Sequence, residues 1–278
     1  MTDPMISTDD LAQRLGDPRL KIIDATWRLD GTGARGPFTQ ARIPGAVFFD
    51  IDAIADLASP LPHMLPTPEA FAGAVSAFGI GSDDEVVVYD QAGLFSAPRV
   101  WWTFRVFGHD QVSVLDGGLP KWVSENRPVE VGQPAAVKLA HFISEFRPGL
   151  VRASDRILPD VAGGRQLLDA RPAARFQGEA PEPRPGLRRG HVPGARNLPF
   201  PQVLTADGTL KSREDLAAVF EAAGIDLSEQ ITTTCGSGLT AAILALAAAR
   251  AGNSDVAVYD GSWAEWGASD APIATGTA

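Results

Sequence analysis

The sequence has one cysteine, Cys235, among its 278 residues. A single cysteine cannot form an internal disulfide or a cysteine-based zinc site, so neither a cross-link nor metal binding explains its presence. A chain without internal disulfides is compatible with a reducing compartment. We therefore expect no metal site built on cysteine, and a different purpose for the lone thiol.

Basic residues and long apolar runs are also scarce. Lys and Arg total 24 against 34 Asp and Glu, which gives a net charge of −10. Proteins that bind nucleic acid or anionic membranes need a basic face, so we predict neither partner, although a local basic pocket for a small anion stays possible. The apolar run Ala241–Ala251 is shorter than the roughly 20 residues of a membrane helix. The acidic N-terminus does not resemble a signal or transit peptide, and we expect a cytoplasmic protein.

What the sequence does contain is a long internal repeat. Four pairs of segments occur in the same order: KIIDATW with QLLDARP, ARIPGAVFFDI with GHVPGARNLPF, EVVVYD with ITTTC, and VLDGGLPKW with VYDGSWAEW. The matched positions lie 144 to 149 residues apart. A period of this length indicates duplicated domains rather than a solenoid. We predict domains at residues 1–127 and 151–278, joined by a linker at 128–150.

Each copy alternates short apolar strands with helical patterns. In the second copy, TTTC and VAVYDGS flank the helical run AAILALAAARAG. This alternation predicts parallel βαβ units and an α/β fold in which each parallel sheet is flanked by helices. Ligands of such sheets bind at the carboxyl ends of the strands. Cys235 lies at that end of a predicted strand and directly before a predicted helix.

The turn around Cys235 is suited to holding a thiolate. A turn from strand to helix directs backbone N–H groups into a small space, and the helix N-terminus adds a partial positive charge. Gly236 and Gly238 permit the tight curvature. We therefore predict that Cys235 is a nucleophile, the alternative being a small buried apolar residue. The equivalent residue of the first copy is Asp90, so only the second copy can perform thiol chemistry.

These features together resemble the rhodanese-type sulfurtransferases. The resemblance covers nearly the whole chain through the motifs DATW, HMLP, SAPRVWW, LDGG, EPR, GHVPGA, CGSGLTA and VYDGSW. It implies two tandem rhodanese-like domains, of which the first is non-catalytic, and a reaction through a persulfide on Cys235. It also implies that no metal or organic cofactor is needed, and that cyanide, a small thiol or thioredoxin accepts the sulfur.

The loop after Cys235 bears on the sulfur donor. CGSGLTA is similar to the loop of family members that use 3-mercaptopyruvate, whereas members that use thiosulfate carry basic residues after the cysteine. Thiosulfate is a compact dianion, yet Gly236 and Ser237 are neutral. The carboxylate of 3-mercaptopyruvate is set away from its sulfur and suits an arginine fork at some distance from the cysteine. We expect transfer from 3-mercaptopyruvate with release of pyruvate; a thiosulfate:cyanide sulfurtransferase and a persulfide carrier or sensor stay open as alternatives.

The resemblance also points to substrate-binding residues. Arg175 and Arg184 match the two arginines that bind substrate in the family. The alternative for both is surface solvation or an ion pair with Glu179 or Glu182. The rest of the cysteine loop is expected to contact substrate as well: Gly236, Gly238, Leu239 and Thr240.

A proton relay is implied by three further matches. Asp52, His63 and Ser237 correspond to a Ser-His-Asp relay of the family. Such a relay is chemically reasonable, because sulfur transfer moves a proton and histidine titrates near neutral pH. The alternative for His63 is a structural histidine beneath a proline-rich loop.

Overall fold

The computed structural model describes residues 3–277, and the chain divides into two compact units. The first unit contains the residues up to Leu57 together with Leu65–Arg147 and Ala206–Thr209. The second contains Ala58–Met64, Pro148–Thr205 and the residues from Leu210 onward. Residues 128–147 of the predicted linker therefore group with the first unit, while the domain boundaries themselves stay a prediction from the repeat.

The first unit is built on a parallel sheet of five strands in the order β1-β5-β4-β2-β3. Its strands are β1 (Met5–Ile6), β2 (Leu20–Asp24), β3 (Val47–Phe48), β4 (Glu85–Tyr89) and β5 (Val112–Leu115). Its helices are α1 (Thr8–Gln13), α2 (Arg35–Gln40), α3 (Pro68–Ala77), α4 (Ala97–Val106) and α5 (Gly118–Ser124). The central strand β4 reads EVVVY and is buried along most of its length, as expected of a parallel strand covered on both faces.

The second unit repeats this arrangement in the order β6-β10-β9-β7-β8, again with all pairs parallel. Its strands are β6 (Val151–Arg152), β7 (Gln166–Asp169), β8 (Arg196–Asn197), β9 (Ile231–Thr234) and β10 (Val256–Tyr259). Its helices are α6 (Ser154–Ala162), α7 (Ala173–Phe176), α8 (Arg213–Ala222), α9 (Ala241–Ala251) and α10 (Ser262–Trp266), with 3-10 turns at Pro148–Leu150 and Phe200–Val203. The predicted α/β fold of two similar parallel-sheet units is confirmed.

Equivalent backbone contacts show how closely the two copies correspond. The N–H of Leu119 donates to the carbonyl of Asp90 at 3.0 Å, and the N–H of Trp263 donates to the carbonyl of Cys235 at the same distance. The turns after α2 and α7 use Gly45 and Gly194 at φ values of 79° and 82°, a region that glycine enters without steric cost. The strand-like pattern KIIDATW ends its strand at Asp24, earlier than the pattern suggests, because the Asp24 carboxylate accepts the N–H of Thr26 and turns the chain.

The central strand of each sheet carries a different residue at its carboxyl end. In the first unit this residue is Asp90, which is fully buried. Its carboxylate accepts the backbone N–H groups of four residues of the following loop and helix at 2.8–2.9 Å: Ala92, Phe95, Ser96 and Ala97. The fold thus places a cradle of N–H donors at this point, and in the first unit the chain's own carboxylate fills it.

The segment that follows α5 covers one side of the first unit. The N–H of Ala140 donates to the carbonyl of Ser76 at 3.0 Å. Phe142 is 3% exposed and lies edge-on to Phe71 and Phe104, with ring centroids 5.7 and 6.0 Å apart. The predicted linker is therefore partly a core element of the first unit rather than a free tether.

In the second unit, the helix that follows the Cys235 loop, α9, is buried. Its residues from Ala241 to Ala249 are all buried, and it ends at Gly252, whose φ of 119° provides the left-handed C-terminal cap. Apolar residues on every side of a helix indicate a helix surrounded by protein. Within residues 3–277, no helix combines the length and the apolarity needed to cross a membrane.

His109 gives the first unit a predicted sensitivity to acid. Its ring packs between Phe104 and Phe142, and burial lowers its pKa despite the nearby charges of Asp110 and Asp84. Below about pH 6.5 the unfolded chain binds a proton that the folded chain resists, so this contribution to stability is lost as the pH falls. We expect His109→Asn, which installs the residue of the equivalent position Asn253, to flatten the decline in urea midpoint between about pH 7.5 and 5.5. The same pH dependence in variant and wild type would contradict this role.

Candidate active site

Cys235 follows β9 directly and is 2% exposed. Three hydrogen bonds attach the backbone of Cys235 and Gly236 to the start of α10. The N–H of Cys235 donates to Ser262 Oγ at 3.2 Å, and the N–H of Trp263 donates back to the carbonyl of Cys235 at 3.0 Å. The N–H of Ala264 donates to the carbonyl of Gly236 at 2.9 Å. The first two residues of the loop are therefore fixed by a neighbouring helix.

The rest of the loop turns the chain into α9. Gly238 has a φ of 75°, and Thr240 stands at the N-cap of α9 without a side-chain cap bond. The N–H groups of Ala242 and Ile243 donate to the carbonyls of Leu239 and Thr240 at 3.3 and 3.1 Å, and the helix dipole makes this end partially positive. The nucleophile predicted from the sequence therefore stands at the carboxyl end of a central strand and at the start of a buried helix.

A cationic side chain lies beside this loop. A Cβ atom placed on Gly236 would lie 3.3 Å from Nη2 of Arg175. Arg175 is held there by Glu182, whose Oε2 accepts from Nε at 3.0 Å and from Nη2 as well. The Arg175 side chain is 20% exposed, whereas that of Glu182 is 1% exposed. The ion pair with Glu182, one of the two interpretations of Arg175 from the sequence, is present. Arg175 also lies beside the cysteine loop, and its role in substrate binding stays a prediction.

A second arginine, Arg171, binds Glu182 from its other carboxylate oxygen and so helps to hold Arg175 in place. The sequence analysis did not identify this residue. Its Nη1 donates to Oε1 of Glu182 at 2.9 Å, and its Nη2 donates to Oδ2 of Asp169 at 2.6 Å. Its guanidinium carbon lies 4.2 Å from the centre of the Trp263 ring. Burial opposes its charge, but the pairs with Asp169 and Glu182 outweigh this and raise the pKa of Arg171. The available signal was its place two residues after the strand-ending aspartate, where the first copy has Thr26.

These four side chains form a chain of alternating charge: Asp169, Arg171, Glu182 and Arg175. Two negative and two positive groups leave the cluster formally neutral. Glu182 engages the Nε and Nη2 atoms of Arg175 and not its Nη1. The guanidinium therefore keeps an edge with which a ligand carboxylate can pair in the fork geometry typical of arginine.

The relay residues fall in different parts of the structure. His63 and Ser237 both belong to the second unit and are 6% and 7% exposed. His63 has a φ of 63°, a left-handed conformation that is uncommon for a residue other than glycine. Asp52 belongs to the first unit and is exposed, and its Oδ2 accepts the indole N–H of Trp27 at 2.9 Å. The relay stays a prediction.

The other predicted substrate-binding residues belong to the second unit and differ in burial. Arg184 is half-buried in the segment between α7 and β8, and its role also stays a prediction. Leu239 is 3% exposed, while Gly236 and Thr240 are half-buried at the two ends of the loop. Among residues 3–277 no cluster of three or more His, Cys, Asp or Glu side chains is arranged to hold a metal ion.

Comparison with known proteins agrees with this geometry. The family model of the rhodanese-like domain matches residues 7–125 and 158–269. The chain belongs to the rhodanese-like family. A 3-mercaptopyruvate sulfurtransferase of Escherichia coli is 45% identical over 96% of this chain and 96% of its own length. The crystal structure of SseA from Escherichia coli, described as a 3-mercaptopyruvate sulfotransferase, superposes with a TM-score of 0.85 at 41% identity, covering 94% of this chain and 99% of SseA.

The chain is thus a rhodanese-like sulfurtransferase with two family domains, as the motifs predicted. Its substrates are a small-molecule sulfur donor and a sulfur acceptor. A thiosulfate sulfurtransferase of Bos taurus is also 45% identical, over 94% of this chain and 91% of its own length. Identity alone therefore does not choose between the two donors, and the choice has to come from the chemistry of the loop.

Proposed function

We propose that this rhodanese-like enzyme transfers the sulfur of 3-mercaptopyruvate through a persulfide on Cys235 to a thiol or cyanide, releasing pyruvate. The observation that carries the proposal is the separation of charge from the nucleophile. The loop residues next to Cys235 are neutral, and the cation beside them, Arg175, is already paired with Glu182. A neutral cluster attracts a compact dianion weakly, whereas the unpaired edge of one guanidinium suits a single carboxylate.

In the first half-reaction the Cys235 thiolate attacks the sulfur of the donor. The new bond joins the two sulfur atoms, and the bond between the donor's sulfur and its C3 carbon breaks. The electron pair of that bond passes to C3, where the adjacent ketone stabilises it as the enolate of pyruvate. The proton of the donor's thiol ends on C3, so the products are pyruvate and the Cys235 persulfide. The partial positive charge at the N-terminus of α9 favours the negative charge on sulfur.

The proton needs a path from sulfur to carbon. We assign this path to Ser237 and His63, with Asp52 orienting the imidazole, in line with the family relay. Burial of Ser237 and His63 within the same unit supports the assignment, and so does the strained backbone of His63, since such strain concentrates at functional sites. Arg184 is proposed as the second arginine for the donor's carboxylate and ketone.

In the second half-reaction an acceptor nucleophile attacks the outer sulfur of the persulfide. The sulfur–sulfur bond breaks, its electrons return to Cys235, and the thiolate is regenerated. Cyanide, a small thiol and thioredoxin are the acceptors that we propose, and the cytoplasm is the compartment expected from the sequence. Each acceptor supplies the nucleophile itself, so the cycle requires no other reductant.

The donor preference is the direct test. We expect kcat/KM for 3-mercaptopyruvate to exceed that for thiosulfate by at least about 100-fold with one acceptor and one preparation, since the two donors differ by a full charge beside the loop. Ser237→Lys adds a cation two residues after Cys235 and should shift the ratio toward thiosulfate by at least about tenfold. Ser228→Ala, an exposed serine paired with Asp226, is the control for a serine change elsewhere.

The other outcomes separate the alternatives. A wild-type preference for thiosulfate would overturn the charge argument while leaving Cys235 as nucleophile. Poor turnover of both donors, with Cys235 still acquiring sulfur, would make the chain a persulfide carrier or sensor. Unchanged relative efficiencies in Ser237→Lys would show that loop charge does not set the choice of donor.

A further inference from the structure

Ser262 holds an unfavourable backbone conformation next to the nucleophile. Its φ is 49°, a left-handed value that costs free energy for a residue with a Cβ atom. It is fully buried, and its Oγ donates to the carbonyl of Tyr259 at 2.7 Å. The same Oγ accepts from the N–H of Cys235 at 3.2 Å and from Oγ1 of Thr234 at 3.3 Å. One strained serine therefore connects the ends of β9 and β10 at the catalytic loop.

The first unit has a glycine, without a side chain, at the position equivalent to Ser262. Its equivalent of Ser262 is Gly118, with a φ of 54°. A Cβ on Gly118 would lie 2.4 Å from the carbonyl oxygen of Asp90, so a side chain does not fit. The carboxylate of Asp90 instead fixes its own loop from within, through the four N–H groups that it accepts. The non-catalytic loop thus needs no external serine.

The catalytic loop cannot be fixed in this way, because its central side chain has to carry sulfur. It is held from outside, through Ser262 Oγ, the N–H of Trp263 and the N–H of Ala264. Only the second of these bonds has a counterpart in the first unit, between Leu119 and Asp90. The residue equivalent to Ala264 is Pro120, which has no N–H to donate. External attachment is therefore specific to the copy that performs chemistry.

We propose that Ser262 is a positioning residue of the sulfur-transfer reaction. It accepts a hydrogen bond from the N–H of Cys235 and so fixes the orientation of the peptide from which Sγ projects. The strain at φ 49° is retained because glycine, the residue that would relieve it, has no hydroxyl. The proposal deepens the proposed function, on which it rests for the role of Cys235 as nucleophile.

Two substitutions separate the hydroxyl from the strain. Ser262→Ala removes Oγ but keeps Cβ, whereas Ser262→Gly removes Oγ and also relieves the strain. We expect both to lower kcat for 3-mercaptopyruvate about tenfold with little change in KM, because the nucleophile is misplaced while Arg175 is untouched. Melting temperatures should diverge, with Ser262→Gly melting above Ser262→Ala.

A second readout does not depend on the identity of the donor. Since Cys235 is the sole thiol, its alkylation rate by iodoacetamide at fixed pH reports the nucleophile directly. We expect this rate to fall about tenfold in both variants and to be unchanged in Ser228→Ala. If Ser262→Gly has the same alkylation rate and the same kcat as the wild type, the proposal is overturned, whatever the behaviour of Ser262→Ala. If the wild type is alkylated by iodoacetamide but does not turn over 3-mercaptopyruvate, the proposed function is refuted. The effect of Ser262 on the alkylation rate can still be measured in that case.

Discussion

Cys235→Ser should lower sulfur transfer by at least about 10⁴-fold while leaving the fold intact, because a serine hydroxyl stays protonated where a thiol forms the nucleophilic thiolate. The substitution exchanges one atom at a site that is 2% exposed. We therefore expect the melting temperature to change by no more than about 4 °C. Steady-state turnover with 3-mercaptopyruvate and cyanide gives the first value, and thermal unfolding gives the second.

The persulfide itself provides the sharper measurement. Since Cys235 is the sole cysteine, incubation of the wild type with donor alone should add the mass of one sulfur atom to the intact protein, and incubation of Cys235→Ser should add none. Thr233→Ser is the matched control: it shortens a buried residue of the same strand and should leave turnover within about twofold. Residual activity of Cys235→Ser above a few per cent would remove the persulfide mechanism.

The fold could be predicted from the sequence because its signals are local and are written twice. Strands such as EVVVY and ITTT, the helix that ends at Gly252 and the matched strand-ending aspartates Asp24 and Asp169 each follow from short-range propensity. Because the sequence is repeated, a strand arrangement predicted for one copy applies to the other as well. The position of Cys235 between β9 and α9 needed no long-range information.

The supporting residues of the site were harder to predict, because their roles depend on contacts between distant segments. Arg171 and Glu182 are 11 residues apart and meet across a turn, so neither pattern nor propensity marks them as partners. Ser262 lies 27 residues after Cys235, and its φ is invisible in the sequence. The repeat did contain one usable clue: the pairing of Ser262 with Gly118 marks a position where glycine is the natural choice and serine requires a reason.

The segment that carries His63 shows a different limit of the sequence analysis. Ala58–Met64 groups with the second unit although the first copy supplies it. The first copy spans 46 residues from Pro44 to Asp90, against 42 from Pro193 to Cys235 in the second, so comparison of the repeats could not align this segment residue by residue. Only the resemblance to the family motif connects His63 with Ser237. The structure groups both residues in the second unit, and the relay stays a prediction.

Arg175→Ala should lower kcat/KM for 3-mercaptopyruvate by about 10²- to 10³-fold, the range expected when one partner of a largely buried charge pair is removed. Two effects combine in this variant. The donor's carboxylate loses its guanidinium. Among residues 3–277, Glu182, whose side chain is 1% exposed, then keeps only Arg171 as a cationic partner. A negative charge that Arg175 had neutralised then stands beside the loop and repels an anionic donor.

A double-mutant cycle separates these effects. Glu182→Gln in the Arg175→Ala background removes the repelling charge, so we expect the double variant to recover about tenfold of the loss. Arg175→Lys keeps the charge without the fork and should fall between wild type and Arg175→Ala. Arg189→Ala, an exposed arginine of the same segment, should stay within about twofold of wild type.

Alkylation with the neutral reagent iodoacetamide distinguishes two roles of Arg175, binding of the donor's carboxylate and positioning of the cysteine loop. If Arg175 binds the donor's carboxylate, its removal lowers kcat/KM for the anionic donor but leaves alkylation of Cys235 within about threefold of wild type. If alkylation fell as far as turnover, Arg175 would act by holding the loop at Gly236, and the carboxylate would have to bind elsewhere. Because Nη2 of Arg175 reaches the loop while Glu182 engages only one edge of the guanidinium, the geometry favours the first result.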